Sequence, residues 1–158
     1  MPGEALLLNI SLIAVAVAGF SGVTATLTPP GGAWHPAMRI RHRAIISTSF
    51  NVMFESLAPL IGFAMFDDVR GAFVAVSAVV AIYATGIVIW RGRQFLAAGG
   101  PRTRSAMVLF ALGPTATLLF WANALAFGSL APYAIALCIQ LSVAVVSFYS
   151  LVTAAQGS

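Results

Sequence analysis

The chain has 158 residues, of which 60% are hydrophobic and only 8% charged. A soluble domain carries roughly 25% charged residues, so this chain has too few charges to cover a water-exposed surface and reads as one integral membrane domain over 1–158. The formal charge of +4 comes from eight Arg and no Lys set against Glu4, Glu55, Asp67 and Asp68. The arginines cluster between apolar stretches, a pattern of topology signals rather than of a nucleic-acid surface.

A helix needs about 20 apolar residues to cross the hydrocarbon core. Stretches at 5–27, 44–66, 72–90, 105–127 and 132–153 meet that length, which predicts an all-α bundle of five spans. The first begins with Glu4 rather than a basic region and is too long for a signal-peptide core, so it reads as a span. It carries Ser11, Ala14, Ala18, Gly22 and Ala25 at spacings of three and four, a face that lets two helix backbones approach closely. Within it, Gly19-Phe20-Ser21-Gly22 resembles the G-x-S-G around the nucleophile of rhomboid-type intramembrane proteases. That resemblance implies a partner histidine in a later membrane helix, but His35 and His42 read as residues in or beside the first connector. Packing is the better account of these glycines.

Thr28-Pro29-Pro30-Gly31-Gly32 ends the first helix, and Trp34-His35-Pro36 continues the connector. Arg39, Arg41 and Arg43 follow as basic anchors at the entrance to the second span. Such arginines attract anionic headgroups at roughly 1 kcal/mol each.

The second span holds the most informative pattern. Arg41, Ala44, Thr48, Asn51, Glu55, Pro59 and Gly62 fall within roughly ±40° of one line at about 100° per residue. The opposite side reads Ile46, Phe50, Met53, Leu57, Leu60 and Ala64. A carboxylate at membrane depth is costly, which makes Glu55 a functional-site candidate. Arg41 is 14 residues away, or about 21 Å along the helix, so it does not pair with Glu55. The acid is therefore protonated, hydrogen-bonded to Asn51, Gln140 or a threonine, or charged in a water-filled cavity. Pro59 lacks the N–H that would bond the Glu55 carbonyl, and so leaves that oxygen open. Carboxylate and carbonyl oxygens with Asn51 one turn away suit a proton or a hard cation. The rival reading is a neutral acid that holds helices in register.

Asp67-Asp68-Val69-Arg70-Gly71 reads as a solvated turn before the third span. Arg91 to Arg104 is the longest predicted loop, with Arg91, Arg93, Arg102 and Arg104 as basic anchors and Gly99-Gly100-Pro101 as its breaker. The fourth span contains Gly113-Pro114 followed by Thr115 and Thr117, and Pro114 predicts a kink. Gly128-Ser129-Leu130-Ala131-Pro132 is a hairpin turn, where Ser129 suits a cap and Pro132 a first helical turn. In the last span Tyr133, Ala136, Gln140, Ala144 and Ser147 form a stripe, and Gln140 sits near the depth of Glu55. A glutamine amide donates to a carboxylate, so the two are expected to meet.

The first and third connectors are basic and the second and fourth are not, which predicts an outside N-terminus and an inside C-terminus. Trp34, Trp90 and Tyr149 then fall near the inner interface and Tyr133 near the outer one. Cys138 is the only cysteine and reads as a small buried or lipid-facing hydrophobe. His35 and His42 read as interfacial residues rather than haem or metal ligands. Without lysine there is no retinal Schiff base, and no phosphate-binding glycine loop is present. Neither a catalytic pair, a metal cluster nor a cofactor motif is legible. The absence of Lys with abundant Ala, Gly and Val points to a GC-rich genome and the cytoplasmic membrane of a bacterium.

The leading expectation is an oligomeric channel or transporter component, because five short helices leave little room for a pore. Glu55, Asn51 and Thr48 would line the path, Gln140 would assist, and Pro59 or Pro114 would supply kinks. The alternative is a non-transporting subunit of a larger membrane complex, with a lipid-active enzyme a distant third. The expected partners are membrane lipids and either further copies or complex subunits.

Overall fold

The computed structural model describes residues 3–26, 36–97 and 104–156. They form α1 (Glu4–Thr26), α2 (Pro36–Phe66), α3 (Val69–Ala97), α4 (Arg104–Ala122) and α5 (Leu130–Gln156), with a π-helical turn at Asn123–Phe127 between the last two. Five stretches are long and apolar enough to cross a membrane, one on each of α1, α2, α3 and α5 and one running from α4 through the π-helical turn. The protein is thus an all-helical bundle of five candidate spans, as its hydropathy predicts.

Helices α2, α3, α4 and α5 pack in sequence around a ring that α5 closes against α2, with α2 and α4 at opposite corners. Helix α1 lies outside the ring, along α2 and touching α5. The centre is aromatic. Tyr133 of α5 meets Phe73 of α3 and Phe120 of α4 at ring-centroid separations of 5.5 and 5.2 Å. The tilted and edge-on arrangements match the ring quadrupoles. Outward positions carry Leu12, Phe20, Phe54, Ile61, Met65, Ile82, Leu118 and Leu125, all exposed, as a lipid-facing surface requires.

Two predicted boundaries change. Pro36 opens α2 rather than continuing the connector, as its fixed φ and missing donor permit at a helix start, so Arg39, Arg41 and Arg43 are helical. Helix α3 runs on to Ala97, so Arg91 and Arg93 belong to it and not to a loop. The breakers at 27–35 and 98–103 lie outside the described residues.

The fourth span is α-helical only to Ala122. There the Gly128 N–H reaches back five residues to the Asn123 carbonyl at 2.7 Å, and Gly128 takes a left-handed φ of 57°. A Cβ on Gly128 would stand 2.8 Å from Val74 and 2.9 Å from Arg70, so the α4–α5 turn rests directly on α3. Gly3, with φ +81°, abuts Leu130. The N-terminus and the two non-basic turns therefore share one end of the bundle.

The turn at Asp67–Asp68 has a structural task beyond solvation. Asp67 adopts φ 47° after α2, and its N–H bonds the Phe63 carbonyl at 2.9 Å. Asp68 caps α3: its carboxylate accepts from the N–H groups of Arg70 at 3.1 Å and Gly71 at 2.6 Å.

Candidate functional site

The inward face of α2 follows the predicted line. Thr48, Glu55, Pro59 and Gly62 are buried and Asn51 is half-buried, while Phe50, Phe54, Ile61, Ala64 and Met65 are exposed. The buried face is wider than the polar stripe. Ile45, Ser49, Val52 and Ser56 are buried as well, and Met53 and Leu60 pack against the core. Gly62 lets α2 approach α3: a Cβ there would lie 3.1 Å from Val76.

Glu55 is 7% exposed and faces α5. The Gln140 side chain of α5 lies beside its carboxyl. The carboxyl oxygen Oε2 is buried without a hydrogen-bond partner among the described residues. The Glu55 backbone carbonyl, deprived of its helical donor by Pro59, accepts the Tyr133 hydroxyl at 2.6 Å. Tyr133 is therefore a fully buried core residue, because the phenol supplies a donor where the helix lacks it.

The remaining residues of the predicted path turn toward α3. The Tyr83 hydroxyl donates to Asn51 Oδ1 at 3.3 Å. Arg91 reaches back across the interface, donating from Nη2 to Ser47 Oγ at 2.8 Å and from Nη1 to Thr48 Oγ1 at 3.5 Å. One basic anchor is thus part of the polar ladder on α2. Arg43 and Arg93 are exposed, as anchors should be. Arg102 lies outside the described residues, as do the side chains of Arg39, Arg41 and Arg104.

Tyr83 and Ser47 are functional-site candidates that the reading of α2 alone does not find. Tyr83 sits in an apolar span, and its role depends on the register between α2 and α3. The ladder from the basic end runs Arg91, Ser47 and Thr48, then Tyr83 and Asn51, then Glu55 and Gln140. Thr48 to Glu55 is about 10 Å along α2. Beyond Glu55 the interior is occupied by Phe73, Phe120 and Tyr133.

Pro59 is fully buried within a continuous α2. Pro114 is half-buried, and α4 continues through it. Around Pro114 the hydroxyls of Thr115 and Thr117 donate to the carbonyls of Ala111 and Gly113 at 2.9 and 3.0 Å, and neither serves the Phe110 carbonyl that the proline leaves open.

On the small-residue face of α1 Ser11 and Ala14 are buried and Ala18 is half-buried, but packing does not account for the glycines: a Cβ at Gly19 or Gly22 would meet nothing within 4 Å, so no other helix approaches closely there, and the Ala25 side chain lies outside the description. The G-x-S-G motif has an unexpected neighbour. His42, on α2 rather than in a connector, places Nε2 3.1 Å from the Ser21 backbone oxygen. The contact is to the carbonyl, and Ser21 Oγ has no hydrogen-bond partner among the described residues. A nucleophile–base pair requires the histidine on the hydroxyl, so this contact joins two helices and does not activate the serine. His35 lies outside the described residues, and Cys138 is exposed on the lipid-facing surface.

A second buried polar group, Asn123, closes the other end. Its amide donates to Ser77 Oγ at 2.8 Å, and its Oδ1 accepts the Ser129 N–H at 3.0 Å. Trp121 Nε1 likewise donates to Thr85 Oγ1 at 3.1 Å across the α3–α4 contact. No group of three or more His, Cys, Asp or Glu able to hold a metal occurs among the described residues. Comparison with protein-family models, with curated proteins and with solved structures finds no match to this chain.

Proposed function

We propose that the protein is a small ion- or proton-transport component of a membrane, with Glu55 as its exchanging group and the polar ladder of α2 as the route to it. The observation that carries this reading is the buried Glu55 carboxyl with one oxygen lacking a partner. An acid at such depth is costly and is retained where charge or protons move. The ladder from Arg91 through Thr48 and Asn51 offers successive polar groups from one end of the bundle. The aromatic cluster of Phe73, Phe120 and Tyr133 closes the other side. Five helices leave little room for a pore within one copy, which favours assembly of several copies. The lysine-free composition supports a bacterial cytoplasmic membrane as its setting.

A second reading is favoured by the Tyr133 hydrogen bond to the Glu55 carbonyl, which ties α5 to α2. Under it the chain is a non-transporting subunit of a larger complex, and Glu55 is interhelical glue.

Reconstitution into liposomes with an entrapped pH-sensitive dye separates the two. Transport requires that the wild type dissipate an imposed ion or pH gradient and that Glu55→Gln and Glu55→Ala abolish or re-tune that movement. A silent wild type, or flux unchanged by both substitutions, overturns it. The subunit reading instead requires co-purification with a larger assembly and loss of stability in Glu55→Ala.

A further inference from the structure

The outer surface of α3 carries a depression of about 420 Å³ lined by Ile82, Tyr83, Gly86, Ile87 and Trp90. The depression is shallow and open along its length. Gly86 forms its floor: it is exposed, and a Cβ there would meet nothing within 4 Å. Tyr83 and Trp90, both exposed, stand on either side of the glycine along the helix. From Ile82 to Trp90 the groove rises about 12 Å along the helix axis.

Charge continues the groove at one end only. Arg93 and Gln94, both exposed, lie one turn beyond Trp90, within roughly 60° of the line through Gly86 and Trp90. Arg91 points away and is engaged with Ser47 and Thr48 on α2. The stripe thus reads apolar, notched, aromatic and then cationic, in the order in which a lipid presents its chain, interfacial region and phosphate.

A second helix fits this surface poorly. Helix pairs approach through small residues spaced four apart, but the residues four before and four after Gly86 are Ile82 and Trp90. These hold a partner backbone away from a notch one residue wide, whereas a flexible hydrocarbon chain enters it.

We propose that this groove binds an anionic phospholipid, with an acyl chain over Gly86 between Tyr83 and Trp90 and the phosphate at Arg93 and Gln94. The site is independent of any transport role for Glu55. It still touches the polar ladder, because the Tyr83 ring that lines the groove also donates to Asn51.

Native mass spectrometry of the full chain released from nanodiscs of equal parts phosphatidylglycerol and phosphatidylcholine tests the site. The wild type should retain phosphatidylglycerol in preference. Gly86→Leu fills the notch without striking a neighbour and should lower retention of both lipids about tenfold. Arg93→Gln should keep a bound lipid but remove the preference for the anionic headgroup. Retention unchanged in Gly86→Leu overturns the proposal. So does a change in oligomeric mass without loss of lipid, which would assign the groove to a second copy. Should Gly86→Leu fail to fold, the exposed Arg93→Gln decides: an undiminished phosphatidylglycerol preference overturns the site.

Discussion

The Tyr133 hydroxyl and the Glu55 backbone carbonyl, 78 residues apart in sequence, are joined by a 2.6 Å hydrogen bond. Pro59 makes this bond necessary, since it removes the N–H that an uninterrupted helix would offer to that carbonyl. A membrane interior supplies no water in compensation, so the missing donor has to come from another helix. The phenol that provides it also anchors the aromatic centre of the bundle. The proline, the acid and the tyrosine therefore form one structural unit.

That unit predicts a non-additive pair. Tyr133→Phe should destabilise the protein by about 1–2 kcal/mol, the scale of an interhelical hydrogen bond in model membrane peptides. Pro59→Ala restores an N–H at position 59, and Tyr133→Phe in that background should lose much less. A thermal or detergent-denaturation cycle in mild detergent measures the coupling. Strictly additive effects would show that the hydroxyl does not serve the carbonyl left open by proline.

The carboxyl of Glu55 and the amide of Gln140 should behave as a matched pair. Gln140→Leu takes the neighbouring amide away from a buried acid and should be destabilising by about 1–2 kcal/mol. Replacing both residues by leucine should recover part of that loss, because no polar group then remains unpaired. A double variant less stable than Gln140→Leu alone would contradict the pairing.

Much of this arrangement is legible in the sequence. Hydrophobic length locates all five spans, and the angular grouping of Thr48, Asn51, Glu55, Pro59 and Gly62 picks the inward side of α2. The stripe on α5 places Gln140 at the right depth, and the proline offset identifies the open carbonyl. What the sequence does not disclose depends on register between helices. Tyr133 lies near a span end, and its neighbour at Glu55 is set by how α5 docks on α2. Arg91 looks like an anchor because its reach to Ser47 requires α3 to extend past Trp90 as helix. Ser49 and Ser56 are buried beside the polar stripe, and the position of α1 outside the four-helix ring is one that no periodicity reports.

Arg91 and Arg93 are two residues apart and should respond differently. Arg91→Ala removes donors to Ser47 and Thr48 and should loosen the α2–α3 contact, at about 1–2 kcal/mol. Arg91→Lys should restore little, since a single ammonium does not reproduce the two-pronged guanidinium contact. Arg93→Ala, at an exposed position, should change stability by less than about 0.5 kcal/mol. Denaturation midpoints of the three variants measured side by side check the distinction, and equal losses for the two alanine variants would refute it.

Asn123 should be the most sensitive polar residue at the non-basic end. It is fully buried, and its side chain serves both Ser77 Oγ and the Ser129 N–H. Its own carbonyl closes the π-helical turn on Gly128. Asn123→Ala strands a hydroxyl and a backbone donor together and should cost about 1–3 kcal/mol. Asn123→Asp keeps the acceptor for Ser129 but exchanges the amide donor for a buried acid, so it should not restore full stability. Gly128→Ala adds a Cβ at a left-handed φ and against Val74, and should open the same turn by a separate cause. Hydrogen exchange at the Ser129 and Gly128 amides reads all three variants. Faster exchange at both amides in Asn123→Ala is the expected result, and protection retained at wild-type level would remove the amide from its bridging role.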